Sequence, residues 1–303
     1  MKKRFLAAFA AMMMLALTGC GGSTGSNGSD TPATAAPEAE TTAVDAETTA
    51  EQGAETEAET TAAAGDQSLQ KVLDSGEFVL GLDASFPPMG FTDENNEIIG
   101  FDIDVAQEVC DRMGVKLVKQ PIVWDAKEQD LNAGKIDCIW NGMSVNASRA
   151  EAMNLSEPYM QNEMIFVVPG DSTIASLSDL TDKTIGVQTG SSAEEILEAA
   201  DFYDTIKTTP LEDNVEALRQ MELGFSDAVF MDSVVAKYFI ASNGKDFKIL
   251  DEGLEQEEYA IGFRKEDQAL RDEVQKQLSE MKADGKLGEI STKWFGSDVT
   301  TVK

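Results

Sequence analysis

Leu131-Asn132-Ala133-Gly134-Lys135-Ile136-Asp137-Cys138-Ile139-Trp140-Asn141 reads as the end of a helix, a glycine stop and then a buried strand. About ninety residues later, Met221-Glu222-Leu223-Gly224-Phe225-Ser226-Asp227-Ala228-Val229-Phe230-Met231-Asp232 repeats the spacing, with Gly three residues before Asp and an apolar run behind it. Each strand finishes on a polar group, Asn141 in one and Asp232 in the other. Strands that alternate with helices predict an α/β fold, and ligands of open α/β sheets sit beyond the carboxyl ends of the strands. Two such ends in one chain predict two similar lobes facing one cleft.

The surrounding sequence agrees. Phe78-Val79-Leu80-Gly81-Leu82 is a short apolar strand, and Gly100-Phe101-Asp102-Ile103-Asp104 opens a helix with an apolar face of Val105, Val109 and Met113, closed by Gly114. Val115-Lys116-Leu117-Val118 follows as a strand. Asp93-Glu94-Asn95-Asn96-Glu97 is read as a polar hairpin turn, because the glycine after its acids is misplaced for an EF-hand. Helical periodicity over 266–283 and Trp294-Phe295 close the chain.

The 303 residues hold 24 Lys and Arg against 55 Asp and Glu, a formal charge of −31. So acidic a surface repels phosphate backbones, and no nucleic-acid partner is expected. His is absent, which removes Ser-His-Asp and Cys-His catalysis and His-ligated zinc; no metal and no cofactor are expected. Met1-Lys2-Lys3-Arg4 precedes an apolar run of 13 residues, Phe5–Leu17. That run is too short for the roughly 20 residues of a spanning helix and fits a secretory signal peptide over residues 1–19. It ends in Leu17-Thr18-Gly19-Cys20, which resembles the lipobox of bacterial lipoproteins; the other reading is an ordinary signal peptide with an incidental Cys. The lipobox implies acylation of Cys20, palmitate included, and more than one chain anchors stably. Residues 20–68 are mostly Thr, Ala, Glu, Gly and Ser, with ten acids and no Lys or Arg. Such a segment cannot offset its ordering entropy by burial and is expected to be a disordered tether with a reach of about 40 Å. The folded part keeps a charge of about −24, so an anion site within it must be built locally.

Two helix starts invite an anion. Ser148 and Glu151 have capping-box spacing, which puts Arg149 in a first turn where the helix dipole disfavours a cation. Arg149 is either a bidentate anion holder or a surface residue satisfied by Glu151 or Glu157. Thr184-Ile185-Gly186-Val187-Gln188-Thr189-Gly190-Ser191-Ser192 is a strand and a turn leading into a helix capped by Ser191 or Ser192, and it lacks the Gly-Lys-Ser/Thr of a P-loop. Phe86, after Asp83 and before Pro87-Pro88-Met89, and Trp124, after Pro121, lie near successive strand ends. They are core residues or the walls of a box for a ligand side chain. Cys110 and Cys138 fall in the same lobe, where a disulfide and two buried thiols both remain open.

In order and spacing, several segments over about residues 69–297 together resemble the extracytoplasmic solute-binding proteins for polar amino acids that serve ABC importers. They include Asp83–Phe91, Gly100–Val105, Asn141-Gly142-Met143-Ser144 with Arg149, and Ser156-Glu157-Pro158-Tyr159. Gly186–Ser192, Asp227–Asp232 and Tyr259-Ala260-Ile261-Gly262-Phe263-Arg264 complete the set. The resemblance implies a two-lobe, type II periplasmic-binding-protein-like clamshell with two hinge crossings, near Asn162–Phe166 and Leu254–Tyr259. It divides the chain into lobe 1 (69–163 and a return segment, 257–303) and lobe 2 (164–256). It implies that Arg149 takes a ligand α-carboxylate with the N–H groups of Ser144 and Ser192. Asp232 would take the α-ammonium with the Gly142 carbonyl and the Ser144 hydroxyl. Phe86 and Trp124 would sandwich the side chain, with Asp83 near its tip and Asn141 and Gln188 facing it. Trp140-Asn141-Gly142 departs from the small or hydroxyl residues of several members, which leaves the ligand open. A monomer is expected, anchored outside the cytoplasm and handing ligand to permease subunits. The alternatives are an enzyme related to the cyclic-carboxylate dehydratases on this fold, or a module presenting ligand to a sensor.

Overall fold

A computed structural model describes residues 65–303. The expected signal peptide, Cys20 and nearly all of the acidic linker lie outside the described residues.

Folded structure begins slightly before Leu69. Helix α1 (Ser68–Ser75) is followed by β1 (Glu77–Leu82), and Asp66 Oδ2 accepts the Ala269 N–H at 2.6 Å. Strands β2 (Ser85–Phe86), β3 (Gly90–Thr92) and β4 (Ile98–Ile99) form a small antiparallel sheet. Its polar turn is a hairpin turn, in which Asp93 Oδ1 accepts the N–H groups of Asn95 and Glu97 at 2.8 Å each. Helix α2 (Phe101–Met113) ends at Gly114 with φ 73°, a left-handed cap that glycine adopts without a Cβ clash. Then come β5 (Lys116–Pro121), α3 (Lys127–Asn132), β6 (Cys138–Ser144), α4 (Ala147–Ala152), β7 (Asn154–Leu155) and the long β8 (Met160–Pro169). The second lobe follows with β9 (Thr184–Gln188), α5 (Ser192–Glu198), β10 (Lys207–Leu211), α6 (Asn214–Glu222), β11 (Ala228–Asp232), α7 (Ser233–Asn243) and β12 (Phe247–Ile249). The long β13 (Glu255–Phe263), α8 (Gln268–Ala283) and α9 (Lys286–Phe295) return the chain to the first lobe.

The main sheet runs β10-β9-β11-β8-β13-β6-β1-β5. At its centre β8 and β13 pair antiparallel, from Glu255 opposite Met164 to Tyr259 opposite Met160, overlapping the two segments where crossings were expected but starting two residues earlier on β8. On either side lie three parallel strands, β5-β1-β6 and β10-β9-β11. Phe78, Leu80, Leu82, Val105 and Val109 fill one lobe, and Phe166, Ile185, Val187 and Phe230 the other. Complete burial of each such side chain contributes about 1.5–3 kcal/mol. Met113, expected on the inner face of α2, is only half-buried.

The repeated sequence unit is a repeated structural unit. Gly134 (φ 70°) and Gly224 (φ 77°) end their helices in the left-handed region. Asp137 then ties β6 to β1 by accepting the Val79 N–H at 2.8 Å, and Asp227 ties β11 to β9 by accepting the Thr184 N–H at 2.8 Å. In each triplet the first strand lies between the two that follow it, so strand order reverses beside β1 and beside β9. Reversal points open crevices at the carboxyl ends of strands. Cys110 and Cys138 are buried free thiols, and burial pushes Cys110 up to about 12 and Cys138 well above the usual thiol range.

Candidate functional site

Both crevices contribute to one cleft. Asp83 follows β1, Phe86 lies in β2, Trp124 opens a single turn before α3, and Asn141, Gly142 and Ser144 belong to the end of β6. Arg149 comes from α4. From the other lobe come Gln188 at the end of β9, Ser192 at the start of α5 and Asp232 at the end of β11. All ten residues singled out from the sequence line this cleft, joined by Ser191, and the lobes leave only about 10 Å³ of enclosed space between them. That is room for about one water molecule, so the lobes stand closed on each other.

Arg149 is 2% exposed, which removes the surface reading. Its Nη1 donates to the Ser144 carbonyl at 2.8 Å, while Nε and Nη2 are buried without a partner. These are the two donors of a bidentate fork. Burial lowers the guanidinium pKa, opposed by Glu195, Glu257 and Asp232. The helix start differs from the expected capping box: Asn146, not Ser148, caps α4 by accepting the Arg149 N–H at 2.9 Å. Ser148 instead donates its hydroxyl to Asn146 Oδ1 at 2.9 Å. Asn146 and Ser148 are both good caps, and the extended backbone at Asn146 decides between them. At α5 the cap is Ser191, whose hydroxyl accepts the Glu194 N–H at 3.1 Å.

Acids face this cation. Asp232 is 5% exposed and accepts from Tyr259 Oη at 2.6 Å and Asn162 Nδ2 at 2.8 Å. Burial, reinforced by Glu257, raises its pKa to about 7. Asp83 accepts the Ser85 N–H and Gln188 Nε2, each at 2.8 Å, and burial raises it to about 6. Behind Gly142, the wholly buried Asp102 accepts the Gly142 N–H at 2.8 Å and Tyr159 Oη at 3.0 Å. Burial raises Asp102 to about 7. Gly142 has φ 57°, and a Cβ there would meet Phe86 Cε1 at 2.9 Å, so this turn of β6 requires glycine.

The lobes touch across the cleft. Gln188 reaches Asp83, Ser192 Oγ donates to Ser144 Oγ at 3.1 Å, and Lys127 Nζ donates to the Gly190 carbonyl at 2.9 Å. Sequence reasoning missed Lys127, Asn162, Glu257 and Tyr259. Glu257 is 7% exposed, accepts from Ser144 Oγ at 2.8 Å, and is raised in pKa by burial. Its signal was the period-two alternation that puts Glu257, Tyr259 and Ile261 on one face of β13. Among Glu255, Gln256 and Glu258 it reads as one more solvated acid. Among the described residues no cluster of His, Cys, Asp or Glu could hold a metal ion, and no helix is long and apolar enough to cross a membrane.

The sequence profile of the bacterial extracellular solute-binding proteins, family 3, matches residues 78–297, most of the folded chain. The chain belongs to that family. Among similar proteins, the L-cystine-binding protein TcyJ of Escherichia coli K12 is 27% identical over 234 residues, 77% of this chain and 87% of that protein. A Streptococcus pneumoniae substrate-binding protein of an ABC uptake transporter, solved with bound histidine, is 37% identical with a TM-score of 0.76, over 78% of this chain and 99% of that one. The ancestral amino acid-binding protein AncCDT-1, described as a precursor of cyclohexadienyl dehydratase, is 31% identical with a TM-score of 0.70, over 75% of this chain and 99% of that one.

Proposed function

We propose that this chain captures a polar amino acid outside the cell by hinge closure and delivers it to the permease of an ABC importer. The observation that carries the reading is the buried Arg149 fork, two donors without partners, lining the same cleft as Asp232. A buried cation with free donors calls for an anion, and a buried carboxylate with a raised pKa calls for a cation. An amino-acid zwitterion supplies one of each on adjacent atoms.

In this reading Arg149 and the N–H groups of Ser144 and Ser192 hold the α-carboxylate. Asp232, the Gly142 carbonyl and the Ser144 hydroxyl hold the α-ammonium. Phe86 and Trp124 flank the side chain, and Asp83, Asn141 and Gln188 meet its far end. The lobes are residues 69–163 with 257–303, and 164–256. Ligand bound to both lobes favours the closed form by contacts the open form lacks. An acylated Cys20 and the acidic linker hold a monomeric receptor at the membrane surface, and the ligand leaves chemically unchanged.

A thermal-shift screen of the twenty amino acids tests the reading. At 100 times Kd a ligand adds about 2.7 kcal/mol, which at about 2–4 °C per kcal/mol raises Tm by roughly 5–10 °C. No shift with any amino acid would refute it. Incubation with each hit and recovery of the ligand separates receptor from enzyme, since a dehydratase consumes what it binds.

A further inference from the structure

At the mouth of the cleft a lysine is buried where lysines are seldom buried. Lys127, the first residue of α3, is 5% exposed, and burial lowers its pKa to about 8, helped by the nearby Arg149. Its ammonium lies 5.1 Å from the centroid of the Trp124 ring and donates to the Gly190 carbonyl at 2.9 Å. Trp124 and Lys127 belong to one lobe, Gly190 to the other. The two turns fit closely: Gly190 has φ 69°, and a Cβ on it would meet Asp125 Oδ1 at 2.7 Å and Asp125 Cα at 2.8 Å. Immediately after Gly190 come Ser191 and Ser192, which line the cleft. A further bond, Asn146 Nδ2 to Glu195 Oε2 at 2.9 Å, spans the gap between α4 and α5.

We propose that Lys127 is a positioning residue that latches the closed cleft and sets how long ligand stays bound. The inference rests on the amino-acid receptor reading above. When the lobes part, Gly190 withdraws and the ammonium returns to water, so this bond exists only after closure. It therefore acts on release rather than on encounter. The same ammonium covers one face of the Trp124 ring, which fixes the indole against the cleft. Gly190 is held by its carbonyl, so the turn that presents Ser191 and Ser192 keeps one orientation while ligand is bound. Lys127 lines no part of the cleft itself, which separates this role from ligand contact.

Stopped-flow Trp fluorescence with the amino acid that gives the largest thermal shift tests the latch. Lys127→Met keeps the apolar stem against Trp124 and removes the donor. Release is expected to quicken roughly tenfold, the scale of one charge-assisted hydrogen bond, with the association rate within about twofold of wild type. The Tm of the ligand-free variant, within a few degrees of wild type, shows that the lobes are intact. Lys127→Arg, which retains a cationic donor, is expected to restore most of the residence time. If Lys127→Met fails to fold, Lys127→Leu, which also lacks a donor, carries the same measurement. Wild-type release rates in Lys127→Met, or an equal change in association and release with no rescue by Lys127→Arg, would overturn the latch and leave the receptor reading standing. Failure of the wild-type protein to bind any amino acid would overturn both.

Discussion

Burial strips the Arg149 guanidinium of water, yet two of its nitrogens donate to nothing. A side chain so placed contributes little to stability and much to recognition. Arg149→Ala is expected to weaken amino-acid binding by about 2–5 kcal/mol, roughly 30-fold to several thousand-fold, by calorimetric titration. The folded state should largely tolerate the change, because of the three guanidinium nitrogens only Nη1 is bonded, to the Ser144 carbonyl. Gly142 makes the opposite case. With φ 57° and Phe86, Tyr259 and Met89 crowded around it, Gly142→Ala is expected to cost about 1–3 kcal/mol of stability in urea unfolding. The same substitution pushes Phe86 toward the cleft, and titration should find weaker binding. Arg149 was legible because the expected cap at Ser148 would set it against the helix dipole, whereas Glu257 was hidden because its neighbours in sequence are acids that do face water.

At the scale of the element, the Gly-x-x-Asp unit shows how a short pattern carries topology. Each Asp caps the strand beside its own, so that Asp137 and Asp227 are interchangeable in geometry though ninety residues apart. Asp137→Ala and Asp227→Ala are each expected to destabilise the chain by about 1.5–3 kcal/mol in urea unfolding, the range for hydrogen bonds to a charged group. Near-wild-type midpoints for both would remove the strand-tying role. Strands β1, β5, β6, β9 and β11 and helix α2 were readable from apolar period and glycine stops, whereas β10 was not. The start of α4 was not: Asn146 and Ser148 compete as caps on nearly equal terms, and the backbone arriving from β6 settles the matter.

Across the whole molecule, burial of carboxylates ties stability and binding to pH with opposite signs. Asp83 near 6 and Asp102 and Asp232 near 7 hold their protons more firmly folded than at the ordinary value of about 3.9. Between about pH 4 and 7 the folded state therefore binds more protons than the unfolded one, and this contribution to stability is lost as pH rises through 7. Scanning calorimetry of the ligand-free protein should give a lower Tm at pH 8 than at pH 5. An ammonium bound to Asp232 prefers the ionised carboxylate, so amino-acid affinity should instead fall from pH 8 to pH 5. Asp232→Asn should bind more weakly at pH 8 and show a flatter pH profile; an unchanged slope would detach Asp232 from the ammonium.

Beyond the site residues that the resemblance to solute-binding proteins implied, the sequence read alone determined an α/β chain of two like lobes and the strand ends that meet at the cleft. It could do so because apolar period, glycine stops and misplaced charge are local properties of consecutive residues. Only the tertiary structure decided that Lys127 reaches Gly190, that Asn162 and Tyr259 grip Asp232, and that Glu257 turns inward. Those contacts join residues 27 to 113 positions apart in the chain, and whether a polar side chain finds water or a partner depends on what the other lobe brings against it.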